Sequence, residues 1–359
     1  MVFSGVRAGG GEGRVSLKSP FPYFGGKSKI APVVWARFGQ VANYIEPFFG
    51  SGAMLLARPG GAQGIETAND KDGYVSNFWR ALQSEPDAVA EYADWPVNEN
   101  DLHARHIWLT NRRDELVARL EGDAEFYDAK VAGWWVWGMA CWIGGGFCSG
   151  VGPWNSVDGK IVKVDSIGVK RQLPHLRDAG KGVNRQRPHL SDAGKGVNRK
   201  RPRLGGFAEM GVNSRDDLQG YMRALAERMR RVRVCSGDWE RVCGPSPTFL
   251  HGLTAVFLDP PYSAEAGRDN ALYTTEDVGV AHRVREWCLA NGDNPLLRIA
   301  LCGYDGEGHE ALEERGWSVH HWKTRGGYGS QGNSKGRANA HRETIWFSPA
   351  CEPEAARLL

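Results

Sequence analysis

The chain has 359 residues, of which 41% are hydrophobic and 24% charged, values typical of a folded, soluble globular protein. Its longest uncharged apolar run, thirteen residues from Val131 to Ile143, is too short to span a bilayer. The net charge of +3 is unevenly distributed, because residues 160–203 carry thirteen Lys or Arg and only three Asp.

The cysteine pattern and the N-terminal residues indicate the cellular compartment. Seven cysteines occur, an odd number, and none forms a C-x-x-C pair. This pattern argues against a disulfide scaffold and a zinc site, and it favours the cytoplasm. No cluster of histidines or carboxylates suggests a metal, so none is expected. Residues 1–19 lack the apolar core of a signal peptide and are interpreted as a flexible tail.

The first elements in chain order predict alternating strands and helices. "NYIEPFFGSGAMLLA" (residues 43–57) has the pattern of a strand, a glycine turn and a helix. "QGIETANDKD" (residues 63–72) then repeats the order of a strand followed by an acid. This alternation is typical of a βαβ unit in a doubly wound sheet.

A long insertion is predicted next, over residues 76–230. Its first part has helical periodicity, with Trp134, Trp135 and Trp137 interpreted as core residues. Residues 171–184 and 185–198 are then identical at twelve of fourteen positions. A unit this short that contains proline and two glycines fits no usual solenoid, so residues 160–205 are interpreted as an expanded cationic loop.

Strand patterns return after the insertion. "RVCSGD", "AVFLDPPY" and "LRIALCGY" predict three strands, and "WSVHHWKT" with "ETIWFS" predicts a terminal hairpin. The predicted fold class is therefore α/β, with one sheet built from residues 20–75 and 231–350 and a short tail at 351–359.

Two glycine turns are candidate ligand-binding sites. Gly50 and Gly52 lie where a strand meets a helix, so backbone N–H groups can approach a ligand there. Asp70 follows Gly50 by twenty residues, the spacing at which an acid reaches ribose hydroxyls. Leu55 stands where a dinucleotide fingerprint needs a third glycine, which disfavours a pyrophosphate. Gly26 and Lys27 suit a small carboxylate, although each turn is also compatible with a purely structural role.

The segment "VFLDPPYS" (residues 256–263) carries the strongest chemical signal. Two prolines end the strand and fix the backbone, so the carboxylate of Asp259 and the carbonyl of Pro260 can point in one direction. Two aligned acceptors suit an –NH₂ group on a nucleobase, and Tyr262 can stack on that base.

In combination, "YFGGK", "EPFFGSG", "NDKD", "SGDW" and "FLDPPY" resemble the motifs of the Dam-like, alpha-group DNA adenine-N6 methyltransferases of bacteria and phages. The resemblance implies a Rossmann-like methyltransferase fold, S-adenosylmethionine as the methyl donor and a flipped adenine as the acceptor. It implies a catalytic group and a cofactor-binding group of residues. The catalytic residues are Asp259, Pro260 and Tyr262, and the cofactor-binding residues are Tyr23, Gly26, Lys27, Pro47, Phe48, Gly50, Gly52, Asp70 and Asp238.

Double-stranded DNA is the expected partner, with the protein acting as a monomer or weak dimer. The candidate phosphate-binding residues are Lys181, Arg185, Lys195, Arg199, Lys335 and Arg337. A solvated loop is the alternative for the basic repeat. Three alternatives to adenine methylation stay open: transfer to the N4 amine of cytosine, a DNA-binding protein with a vestigial catalytic pocket, and a nucleotide-dependent oxidoreductase.

Overall fold

The computed structural model describes residues 17–21, 27–142, 147–148, 154–157, 160–163, 215–261, 279–322 and 343–354. The α-helices are α1 (Ala31–Phe38), α2 (Ala53–Leu56), α3 (Gly73–Ser84), α4 (Pro86–Ala93), α5 (Glu99–Thr110), α6 (Arg113–Gly122), α7 (Ala129–Cys141), α8 (Arg215–Met229) and α9 (Val280–Asn291). The strands are β1 (Asn43–Glu46), β2 (Ile65–Asp70), β3 (Trp154–Val157), β4 (Lys160–Lys163), β5 (Arg233–Ser236), β6 (Thr254–Leu258), β7 (Leu297–Tyr304), β8 (Ser318–His321) and β9 (Glu343–Phe347). Short 3₁₀ helices span Trp239–Val242, Phe249–His251 and His309–Arg315.

Seven of these strands form one sheet, in the order β5, β2, β1, β6, β7, β9, β8. The first five are parallel, whereas β9 is antiparallel to both β7 and β8. The chain extends from β1 through β2 to β5 and then returns to place β6 on the other side of β1. The strand order therefore reverses between β1 and β6, and open α/β sheets bind ligands at the carboxyl ends of strands that flank such a reversal.

The central strands are buried because helices cover both faces of the sheet. In β6 the side chains alternate, so that Ala255 and Phe257 join one apolar cluster while Val256 and Leu258 join the other. This alternation follows from the two-residue period of a strand. It explains why β6 is an unbroken apolar run, as parallel strands buried on both faces usually are.

The helices between β2 and β5 pack on one face of the sheet. Trp135 and Trp137 of α7 are buried, and Trp134 is partly buried against the same cluster. The ring of Trp135 lies 4.8 Å from Phe21 and is stacked on Tyr74 at 6.2 Å. The predicted helical character of this region and the core role of its tryptophans are confirmed. The domain boundaries stay a prediction.

The predicted α/β fold class is confirmed, as are the strand, turn and helix order of residues 43–70 and the pairing of β8 with β9. One difference concerns residues 160–163, which form β4 and pair with β3 instead of beginning a loop. Ile161 and Val162 are β-branched and favour a strand at this position. Most of the predicted tail and cationic loop lies outside the described residues. Among the described helices, we find none whose length and apolar character would let it cross a bilayer.

Candidate active site at the carboxyl edge of the sheet

The carboxyl ends of β2, β1 and β6 lie side by side and carry several of the predicted site residues. Asp70 ends β2, Pro47 and Phe48 follow β1, and Asp259 with Pro260 follows β6. Because β1 pairs in parallel with both β2 and β6, these residues are at one edge of the sheet. They flank the point at which the strand order reverses.

The turn after β1 has the backbone conformation that only glycine adopts readily. Gly50 and Gly52 have φ angles of +49° and +68°. A Cβ atom added at Gly52 would lie 2.9 Å from the ring of Phe49 and 3.1 Å from the ring of Trp79. A side chain at Gly52 would therefore displace the rings that pack against the turn.

Asp70 is held against this turn by backbone N–H groups. Its Oδ2 accepts a hydrogen bond from the Gly50 N–H at 2.8 Å, and its Oδ1 accepts one from the Asp72 N–H at 2.9 Å. Burial and the nearby charge of Asp72 raise the pKa of Asp70 to about 7, against the opposing effect of the backbone N–H groups. The carboxyl group is therefore poised to change charge near neutral pH.

Asn69 connects the turn after β1 to the turn after β5. Its Nδ2 donates to the carbonyl of Pro47 at 3.1 Å and to the carbonyl of Gly237 at 3.0 Å. Phe48 and Trp239, which belong to these two turns, have ring centroids 6.2 Å apart. The two turns thus form one continuous surface beside Asp70.

Asp238 follows β5 and points its carboxylate at two donors. Oδ1 accepts from the Glu240 N–H at 3.0 Å, which caps the first 3₁₀ helix, and Oδ2 lies 3.1 Å from Nη2 of Arg283 on α9. Burial would raise the pKa of Asp238, but the Glu240 N–H and the guanidinium of Arg283 together lower it. Asp238 is therefore an ionised carboxylate on the edge of this surface.

Lys27 and Asp259 form an ion pair at the reversal point. Lys27 Nζ lies 3.0 Å from Asp259 Oδ2, and the two side chains are 4% and 19% exposed. Burial would lower the pKa of Lys27, but the charge of Asp259, with smaller contributions from Cys302 and Glu343, raises it. Lys27, which the glycine turn predicts to bind a small carboxylate ligand, thus also contacts the DPPY motif.

Glu46 is a buried carboxyl at this edge that is not among the predicted site residues. It ends β1, and its Oε2 accepts a hydrogen bond of 2.8 Å from the hydroxyl of Tyr44. Burial is the main cause that raises its pKa well above the ordinary value, and the charges of Asp259 and Asp70 add to the effect. Its place as the last residue of a strand before a glycine turn can be read from the sequence, but its burial and its contact with Tyr44 depend on packing.

Residues 23–130 match the family model of the D12 class N6 adenine-specific DNA methyltransferases. The match confirms the resemblance to Dam-like enzymes, and the family implies an adenine-specific DNA methyltransferase that depends on S-adenosylmethionine. The matched segment contains Lys27, Gly50 and Asp70, whereas Asp238 and Asp259 lie beyond its end. A comparison with curated proteins returned no match.

Side chains from three helices hold the glycine turn and the short helix after it. The indole N–H of Trp79 donates to the carbonyl of Gly50 at 3.0 Å, and that of Trp35 donates to the carbonyl of Met54 at 2.9 Å. Arg228 of α8 donates to the carbonyl of Leu55 at 2.9 Å. The carbonyls of Met54 and Leu55 also accept the N–H groups of Ala57 and Arg58, so these side chains add further hydrogen bonds to the short helix.

Arg228 is itself fixed by a buried carboxylate. Glu66 of β2 accepts hydrogen bonds from Arg228 at 2.7 and 2.9 Å and from Arg58 at 2.9 Å. All three side chains are at most 8% exposed. The cluster joins α8, β2 and the segment that follows α2. It therefore helps to hold the short helix after the glycine turn in place.

The described residues at this edge of the sheet fit S-adenosylmethionine. Gly50 and Gly52 form a glycine turn after β1, Asp70 ends β2, and Asp238 follows the adjacent strand β5. Buried Nε1 of Trp239 lacks a hydrogen-bond partner within the described part of the chain. These are a backbone cradle, acceptors for hydroxyl and amino groups, and an aromatic surface.

Several predicted site residues lie outside the described ranges: Tyr23, Gly26, Tyr262, Lys181, Arg185, Lys195, Arg199, Lys335 and Arg337. The structure brings together Lys27, Pro47, Phe48, Gly50, Gly52, Asp70, Asp238, Asp259 and Pro260 at one edge of the sheet. Within the ranges that the structure describes, no group of three or more His, Cys, Asp or Glu side chains is arranged to hold a metal ion.

Proposed function

We propose that the protein transfers a methyl group from S-adenosylmethionine to the N6 amine of an adenine rotated out of double-stranded DNA. The observation that carries this proposal is the buried Lys27–Asp259 ion pair at the strand-order reversal, beside the glycine turn. It gives the D12 class domain an oriented acid at the position where open α/β sheets bind their ligands.

The cofactor would lie across the turns after β1, β2 and β5. Tyr23, Gly26 and Lys27 would contact its methionine end, while Pro47, Phe48, Gly50 and Gly52 would form the cradle. Asp70 would accept hydrogen bonds from the ribose, and Asp238 would accept one from the adenine amino group of the cofactor. Asn69 donates hydrogen bonds to the carbonyls of both Pro47 and Gly237, which supports a single binding surface here. S-adenosylmethionine supplies a methyl group made electrophilic by a positively charged sulfur.

Hydrogen-bond acceptors after β6 would bind the target amine. Lys27 contacts Oδ2 of Asp259. The Asp259 carboxylate and the carbonyl of Pro260 would accept hydrogen bonds from the two hydrogens of the amine. Tyr262 would stack on the adenine ring. Two fixed acceptors draw the nitrogen lone pair out of the ring, and preformed acceptors stabilise charge that develops during transfer.

The proton that the amine loses would pass to water. The ammonium group of Lys27 lies 3.0 Å from Oδ2 of Asp259, and this contact orients the carboxylate, which supports a role as a hydrogen-bond acceptor. Catalysis would then consist of alignment and electrostatic stabilisation, with no covalent intermediate. The described cysteines need take no part.

DNA would be held by the basic segment and the glycine-rich loop before β9, through Lys181, Arg185, Lys195, Arg199, Lys335 and Arg337. Phosphate neutralisation by Lys and Arg supplies most sequence-independent affinity for DNA. The protein would act as a monomer or weak dimer. We place the reaction in the cytoplasm, where bacterial and phage DNA is accessible.

The test is to incubate the purified full chain with S-adenosylmethionine labelled in the methyl group and unmethylated DNA, and then to identify the labelled nucleoside. Label in N6-methyladenine supports the proposal, whereas label in N4-methylcytosine would replace the acceptor. Asp259→Asn is expected to abolish transfer while S-adenosylhomocysteine, measured by calorimetry, still binds. Absence of both transfer and cofactor binding in the unaltered protein would favour a vestigial site.

A further inference from the structure

Arg283 of α9 contacts two acids of the turn after β5. Its Nη2 lies 3.1 Å from Asp238 Oδ2, and its Nη1 lies 3.1 Å from Glu240 Oε1. One planar guanidinium therefore bridges two carboxylates. Cζ of Arg283 also lies 6.0 Å from the ring centroid of Trp239. A bridge with two fixed ends restricts rotation of the Asp238 carboxylate more than a single contact does.

The bridge is too exposed to serve mainly as a stabilising contact. The Arg283 and Asp238 side chains are 43% and 36% exposed. Ion pairs with this exposure contribute little to stability, because water and salt screen them. A local role in orienting Asp238 accounts better for an arginine that contacts both acids.

The orientation leaves defined acceptor positions. A carboxylate offers about four lone-pair sites, and the Glu240 N–H and Arg283 use one on each oxygen. The remaining positions accept from an amino group but repel a carbonyl oxygen. A carboxylate held in this way would distinguish a 6-amino purine from a 6-oxo purine.

We propose that Arg283 is a positioning residue that fixes Asp238 and thereby sets the selectivity of the nucleoside site for adenosine over inosine ligands. The inference rests on the proposed function, since it assigns the site to the nucleoside part of S-adenosylmethionine. Arg283 acts through Asp238 and does not itself contact the purine. Its place on α9, the first described helix after the DPPY motif, makes the selectivity of the nucleoside site depend on how that helix docks.

The experiment compares dissociation constants of S-adenosylhomocysteine and its 6-oxo analogue S-inosylhomocysteine by calorimetry. The unaltered protein is expected to prefer the adenosine ligand. Arg283→Gln is expected to reduce the ratio of the two constants about tenfold, the effect of losing one hydrogen bond to a charged group. Arg283→Lys is expected to restore part of the ratio. Arg230→Gln, which removes an exposed arginine paired with Glu227, is the matched control and should leave the ratio unchanged.

Two results would overturn the inference while leaving the proposed function intact: equal loss of affinity for both ligands in Arg283→Gln, or tighter binding of S-adenosylhomocysteine by that variant. The first would mean that Arg283 only supports the fold, and the second that it obstructs the site. Failure of the unaltered protein to bind S-adenosylhomocysteine would instead remove the proposed function, and this inference with it.

Discussion

Lys27 Nζ lies 3.0 Å from Oδ2 of Asp259, although the two residues are far apart in the sequence. Lys27 belongs to the part of the chain that matches the D12 class family model, and Asp259 lies outside that part. The ion pair therefore joins the two sequence pieces of the sheet at the point where the proposed methyl transfer occurs.

Replacing Lys27 by Met should impair both stability and catalysis. Removing one partner of a buried ion pair leaves the other charge without compensation, at a cost of about 3 kcal/mol. Loss of the orientation of Asp259 should lower kcat by about 100-fold, which is typical when one preorganised electrostatic interaction is removed. Chemical denaturation and single-turnover transfer from labelled S-adenosylmethionine measure the two effects.

A double variant separates these effects. Lys27→Met combined with Asp259→Asn removes both charges, so part of the stability should return while transfer remains absent. A Lys27→Met protein that keeps full kcat would show that the ion pair has no catalytic role.

Asp70 should make cofactor affinity depend on pH. With its pKa at about 7, the carboxyl is about one tenth ionised at pH 6 and about nine tenths ionised at pH 8. If the ionised form accepts the ribose hydroxyls, the affinity for S-adenosylhomocysteine should rise about tenfold between these values and then level off. Calorimetry across this range measures the effect, and Asp70→Asn should bind more weakly with a flat profile.

The same group affects stability in the opposite direction. Since the pKa of Asp70 is higher in the folded protein than the ordinary value of 3.8, the folded state binds the proton more tightly. The free energy of unfolding should therefore fall as pH rises from about 4 to 7, relative to Asp70→Asn, by at most about 4 kcal/mol. A difference that is constant across this range would contradict the raised pKa.

Gly52→Ala should destabilise the protein and weaken cofactor binding. The substitution places a Cβ atom 2.9 Å from the ring of Phe49 on a residue with φ of +68°, so strain and overlap act together. We expect a loss of about 2 kcal/mol in the free energy of unfolding. Gly220→Ala in α8 is the matched control, because nothing lies within 4 Å of the added atom there. That change should be neutral or stabilising by about 0.5 kcal/mol. Equal effects at both sites would contradict a specific requirement for glycine at position 52.

The basic repeat should determine the salt dependence of DNA binding. Changing Lys181, Arg185, Lys195 and Arg199 to Gln should weaken binding to any duplex and reduce the slope of log K against log salt by about 0.9 for each phosphate that is no longer neutralised. Lys181→Arg with Lys195→Arg keeps the charge and should keep the slope. Unchanged slopes in the four-residue variant would assign the repeat to a solvated loop.

Much of the fold was predictable because it depends on short-range patterns. The apolar run before Asp259 predicts a buried strand, and the glycines after Glu46 predict a turn at its end. Since parallel strands place their carboxyl ends at one edge, a common site for Asp70 and Asp259 was predictable from the sequence alone. The strand at residues 160–163 was missed, because the surrounding charge concealed a short β-branched pair.

Other features depend on packing and could not be predicted. Glu46 was overlooked because the pattern of its strand does not reveal that its carboxyl is buried beside Tyr44. The bridge from Arg283 to Asp238 and Glu240 depends on where α9 docks against the turn after β5. Neither spacing nor composition contains that information.

By itself, the sequence determined which residue types end each buried strand, because strand periodicity and the backbone limits of proline and glycine act over a few residues. Only the tertiary structure decided the charge states and partners of those residues. Burial and ion pairing depend on distances between segments remote in the chain, as they do where Lys27 meets Asp259 and where desolvation raises the pKa of Asp70.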